Sequence, residues 1–118
     1  HADETRLAAL ALARLDDPRA VPALTALLAE HGREGSRGAA LLAARARLDR
    51  GQRDLADLRA CLQAPEALES EQILDIVAAC PPQLADDLPR VRATLAQRGS
   101  ALLARLDRER ARCAARGR

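Results

Sequence analysis

The chain has no Phe, Tyr, Trp or Met among its 118 residues. No ring is therefore available to stack on a base or to anchor an interface, and every core position must be filled by a small or medium aliphatic. Lysine and asparagine are also absent, so all 19 basic residues are arginine. A GC-rich coding sequence accounts for that bias without any selection for guanidinium chemistry. No apolar run approaches the roughly 20 residues of a membrane-spanning helix. Histidine occurs twice, at a ragged end (His1) and beside a glycine (His31). The sequence contains no Cys-x-x-Cys, His-x-x-x-His, glycine-rich phosphate loop or Gly-x-Ser-x-Gly. These absences remove the usual carriers of metal, nucleotide and nucleophilic chemistry, so the chain is read as non-enzymatic, with no metal and no cofactor expected.

What is there favours helix. Apolar residues make up 48% of the chain and charged ones 31%, as in ordinary globular proteins. The apolar share is mostly Ala and Leu, and Ala, Leu, Arg and Glu are all strong helix formers. Leu7, Ala8, Ala11, Leu12 and Leu15 fall on one face at helical spacing. Asp16-Asp17-Pro18 then breaks the helix, because proline lacks a donor and disfavours an α conformation in the residue before it. Pro22 suits the first turn of a second helix, whose stripe is Val21, Leu24, Leu27 and Leu28. That stripe returns as Leu55, Leu58, Cys61 and Leu62, and again as Leu88, Val91, Thr94 and Leu95. Leu15 maps to Leu48, then to Cys80 and Cys113. The breaks recur in register too, at Asp16-Asp17-Pro18, Asp49-Arg50-Gly51 and Pro81-Pro82. A hairpin of about thirty residues is the size of one solenoid repeat.

The run Asp-Asp-Pro-Arg-Ala-Val-Pro-Ala-Leu followed by Leu27-Leu28 resembles the HEAT-like repeat, most nearly the short bacterial form first noticed in phycobilin lyases. The likeness is good over residues 5–30 and degenerate over 36–64 and 70–98, where the second copy lacks both prolines. The resemblance implies an all-α fold: one domain over 1–118, a short right-handed α-solenoid of about three helical hairpins plus a terminal helix. Helices are expected from about Glu4 to Leu15, Val21 to His31, Arg37 to Arg50, Arg53 to Gln63, and from near Glu66 or beyond to Ala79. A sixth starts at Leu84 or Leu88 and ends at Gln97, with Pro89 in the role of Pro22, and a seventh spans Ala101 to Ala115. Ser36 and Ser100 are expected as N-caps, and Gly51 and Gly99 as helix ends. Apolar stack ends leave room for self-association.

Cys61, Cys80 and Cys113 all fall on apolar stripes. Cys61 and Cys80 end antiparallel helices, roughly 20 Å apart. Cys80 and Cys113 end parallel neighbours about 8–10 Å apart, marginal for the ~7 Å limit of a disulfide. Three buried thiols are the expected state, which leans toward a reducing, cytoplasmic setting. The chain begins His-Ala-Asp, so its N-terminus is read as processed or trimmed, and a secreted or periplasmic setting stays open. The carboxylate pairs Asp16-Asp17 and Asp86-Asp87 sit where capping explains them.

By the resemblance, the second helices of successive repeats line the concave face. Equivalent positions there place Arg59 and Arg92 one repeat apart, with Arg53 and Arg90 nearby, and Asp57, Asp86 and Asp87 beside them. Forked guanidinium hydrogen bonds suit carboxylates or phosphates. The expected function is a protein-binding scaffold or adaptor gripping its partner through Arg53, Arg59, Arg90 and Arg92. The alternative is binding to a nucleic-acid backbone, as some HEAT-like proteins do. It is disfavoured by a net charge of only +2 and by the missing aromatics. A role as an enzyme partner follows from the phycobilin-lyase likeness alone. The tail from Arg105 onward carries six Arg against Asp107 and Glu109, a pattern that also suits a solvated helix C-terminus.

Overall fold

A computed structural model describes residues 2–33, 35–49, 53–81 and 84–116. Seven α-helices, and no strand, occur among them: α1 Ala2–Arg14, α2 Ala20–His31, α3 Gly35–Asp49, α4 Leu55–Gln63, α5 Ser70–Ala78, α6 Leu84–Arg98 and α7 Ser100–Arg116. A single 3-10 turn, Pro65–Ala67, precedes α5. The all-helical expectation holds, and the helices fall close to their expected places.

The boundaries carry the differences. Residue Ser36 lies inside α3, and Ser100 is the first residue of α7, so neither stands outside its helix as a cap. Arg53 precedes α4 instead of opening it. Pro89 is the sixth residue of α6, whereas Pro22 is the third of α2, so the two prolines are not equivalent. Proline at position six forgoes one helical hydrogen bond. Ala85, whose carbonyl loses that donor, is exposed, so water can replace it. The expected helix end at Gly51 lies outside the described residues.

The turn between α1 and α2 is set by Asp16 and Asp17. Asp16 adopts φ +57°, a left-handed conformation that a short polar side chain tolerates. Asp17 accepts a hydrogen bond from the Arg19 backbone N–H at 3.0 Å, fixing the entry to α2. Gly32, at φ +85°, closes α2 by donating its N–H to the Leu28 carbonyl at 2.9 Å.

The odd helices pack in succession, α1 on α3, α3 on α5 and α5 on α7. On the other side α4 packs on α6, while direct packing of α2 on α4 is slight. α3 is the pivot, touching α1, α2, α4 and α5. Its residues Leu41 to Ala46 are all buried. Alanine makes that approach possible, since the positions Ala39, Ala43 and Ala46 between its leucines and arginines let neighbours come close. The C-terminal core is bulkier, with Ile73, Leu74, Ile76 and Val77 of α5 buried against Leu95 and Leu106. The principal extents are 37 × 32 × 25 Å. No helix among the described residues is long and apolar enough to cross a membrane.

Candidate partner-binding site

The arginine ladder is largely occupied by intramolecular partners. Arg53 Nε lies 3.8 Å from Asp49. Arg90 donates to the Gln63 carbonyl at the end of α4, at 2.6 Å. Arg92 turns away from α4 and pairs with Asp107 on α7. Asp57, expected beside the ladder, instead accepts from Arg33 at 2.8 Å. Arg59 alone of the four is exposed with no hydrogen bond or ion pair among the described residues. The structure thus brings Arg90 to the end of α4 but, among the described residues, presents no row of free guanidiniums on that side.

A trough opens on the opposite layer, across α1, α3 and α5, with a cavity volume of about 450 Å³. Its floor is one stripe of α3, Arg37, Ala40, Ala44 and Arg47, with Ala43 beside it. Alanine side chains end at Cβ, so α3 lies low between its neighbours. The α1 wall carries Arg6, Leu7, Leu10 and Arg14, at helical spacing along one face. Leu7 is 60% exposed there, one of the few large apolar side chains left in solvent. The α5 wall is acidic, with Glu69, Glu71 and Asp75. Arg14 crosses to Asp75 at 3.3 Å and bridges the walls at one end, while Arg47 beside them donates to Asp16 at 3.2 Å. Arg37, at the other end, is exposed.

The carboxyls of the acidic wall differ electrostatically. Hydrogen bonds from Arg105 hold Glu71 below the usual carboxylate range, outweighing some desolvation. Asp75 goes the other way: burial raises it, despite the opposing Arg14 and Arg47 charges. Asp75 is therefore a poorly solvated carboxylate that gains from an added cation. No His, Cys, Ser or Thr lines the trough among the described residues, and its polar groups are carboxylates, guanidiniums and the Gln72 amide.

A second charged cluster lies inside the fold. Arg45 of α3 donates to Asp54 through Nε (3.0 Å) and Nη2 (2.7 Å), and to Thr25 of α2 at 3.2 Å. Arg33 adds a third bond to Asp54, at 2.6 Å. Burial pushes the Asp54 carboxyl up, but the bonds from Arg45 and Arg33 prevail and hold it below its ordinary value. The cluster stands where α2 would otherwise pack on α4. Gly38 supports it: a Cβ there would collide with the backbone of Arg33.

The cysteines differ from expectation. Cys80 and Cys113 form a disulfide, with Cα atoms 5.5 Å apart. The marginal distance estimated from helix spacing is closed because Cys80 lies beyond α5, in a left-handed conformation at φ +56° that swings it toward α7. Cys61 is free and half-buried, and burial, helped by Asp57, pushes its thiol up, away from the reactive thiolate. No group of three or more His, Cys, Asp or Glu converges as a metal site among the described residues.

No protein-family model, no curated protein and no solved structure matches the chain.

Two of these features have signals in the sequence. Arg37-x-x-Ala40-x-x-x-Ala44-x-x-Arg47 is a helical stripe with nothing larger than alanine between two arginines. Arg45 is the first charge after the apolar run 38–44, nine residues before Asp54.

Proposed function

We propose that the chain is a non-enzymatic protein-binding scaffold or adaptor, built as a short stack of HEAT-like hairpins, and that it holds its partner in the trough on the odd-helix layer. The stack reading is supported by the succession of α1, α3, α5 and α7 and by the packing of α4 on α6. A stack of three hairpins is about as wide as it is long, in keeping with the similar two longer extents, 37 and 32 Å. The binding reading is carried by one observation: an apolar-floored recess of about 450 Å³ whose walls bear charges of opposite sign. Apolar surface left open beside charged rims is the pattern of an interaction surface.

The test compares three forms of the full chain in affinity capture: wild type, Ala40→Leu and Arg59→Glu. Ala40→Leu fills the floor of the trough, and Arg59→Glu reverses the one unpartnered ladder arginine. A protein retained by wild type and Arg59→Glu but lost from Ala40→Leu places the partner in the trough. Loss from Arg59→Glu alone moves the site to the α4 face, and equal retention by all three excludes both.

A further inference from the structure

We infer that the trough takes a short amphipathic α-helix of a partner protein, with carboxylates along one edge and basic side chains along the other. The inference rests on the protein-binding reading above and specifies its ligand. Three observations carry it. The trough separates its charges across its width: Arg6 and Arg14 stand on α1, and Glu71 and Asp75 on α5. Between them the middle of the α3 floor is alanine, Ala40 and Ala44 with Arg37 and Arg47 at its ends, and it admits leucine-sized knobs from above. Apart from Glu69, just before α5, the walls and floor are helical, so no sheet edge is offered. An extended peptide lying there would leave its own N–H and C=O groups without partners, whereas a helix satisfies them internally.

The spacings agree. Arg6, Leu10 and Arg14 are four residues apart along α1, as are Glu71 and Asp75 along α5, about 6 Å per step. Side chains four residues apart on an incoming helix repeat at the same interval. The floor from Arg37 to Arg47 spans ten residues, or about 15 Å, which is some three turns of helix. The Arg14–Asp75 bridge is exchanged on binding: a partner carboxylate takes Arg14, and a partner cation takes Asp75, whose poor solvation favours that exchange. Turning such a helix end for end swaps its edges, so the charge pattern also fixes the direction in which it lies.

The test uses four capped, fluorescently labelled 14-residue peptides sharing one Leu/Ala stripe, titrated into the full chain by anisotropy. The first carries Glu on one edge and Lys on the other, the second Glu on both, the third Lys on both. The fourth repeats the first with a central proline. The mixed-edge helix is expected to bind at least about fivefold tighter than either single-sign peptide, since each mismatched edge turns attraction into repulsion. It should lose binding in Ala40→Leu. In Arg37→Glu, an exposed change that leaves the packing alone, it should weaken while the Lys-edged peptide gains. Equal binding by the proline peptide overturns the helix. Equal binding by the Glu-only peptide overturns the two-edge pattern. Failure of all four overturns the inference, and if Ala40→Leu still loses the captured partner, the protein-binding reading survives that failure.

Discussion

Where α2, α3 and α4 meet, the contact is ionic and buried: Arg45 and Asp54 are 5% and 0% exposed in their side chains, with Arg33 and Thr25 completing the cluster. Where α5 meets α7, the contact is Ile, Val and Leu closed by the Cys80–Cys113 disulfide. Both regions face one shortage, since a chain without aromatic or methionine side chains has little with which to fill wide gaps. The first half fills a gap with the long stem of an arginine and must then neutralise its charge. The second uses branched aliphatics on a nine-residue helix and a covalent tie. The trough is the third outcome, a gap at the surface that alanine leaves open.

The ionic half should break hardest. Asp54→Ala leaves the Arg45 guanidinium buried without its main acceptor, and removing one member of a buried pair costs about 3–5 kcal/mol. Chemical denaturation measures it, and a loss below about 1 kcal/mol would mean that Arg45 reaches water when its partner is gone. Acid sharpens the same comparison. The folded-state carboxyl of Asp54 lies below its unfolded value, so its contribution is complete above the unfolded value and fades as pH falls through the folded one. The gap between wild type and Asp54→Asn is therefore constant near neutrality and narrows below about pH 4. A gap that widens in acid would reverse the assignment.

The covalent half should respond less, and elsewhere. The disulfide closes a separation of 33 residues, for which loop-closure entropy gives about 3–4 kcal/mol. Cys80→Ala with Cys113→Ala should lose somewhat less than that, because the aliphatic contacts of α5 and α7 remain. Hydrogen exchange locates the change: amides of α7 lose protection before those of α3. Equal loosening in both halves would show that the two regions unfold as one unit. A paired Cys80–Cys113 also fits an oxidising compartment, against the lean toward the cytoplasm that three free thiols would carry.

How much of this could be read from the sequence follows from which property each feature depends on. The helices and their order depend on periodicity and on breaks such as Asp16-Asp17-Pro18, and those are local. The disulfide depends on one dihedral at Cys80, after α5 has ended, which no helical period encodes. Pro89 resembles Pro22 in sequence because each follows the first residue of an apolar stripe, but α6 begins five residues before Pro89 and tolerates it where the freed carbonyl is exposed. Repeat register alone places the ladder of Arg53, Arg59, Arg90 and Arg92. Register does not say which arginine finds a carboxylate, and Arg92 finds Asp107 on a helix outside the pattern. The trough is the least legible feature, because α3 is apolar on most faces and the sequence does not reveal which face its neighbours leave uncovered.

The smallest expected effect tests whether surface pairs matter to the comparison at all. Arg105 of α7 pairs with Glu71 of α5 through both carboxylate oxygens, a fork that joins the terminal helix to the acidic wall of the trough. Both side chains are about half exposed, at 41% and 53%. An exposed pair of this kind contributes about 0.5 kcal/mol, so Arg105→Ala should shift the denaturation midpoint slightly and lose even that shift in high salt. Its sharper consequence is local. Glu71 is held low chiefly by hydrogen bonds from Arg105, so the substitution should raise the Glu71 titration midpoint, as NMR of the carboxyl carbon would detect. It also leaves Glu71 free to receive a partner's cation. If the trough holds a helix with a basic edge, Arg105→Ala tightens that binding while marginally weakening the fold, a pair of opposite signs that a purely structural role for the Arg105–Glu71 fork would not produce.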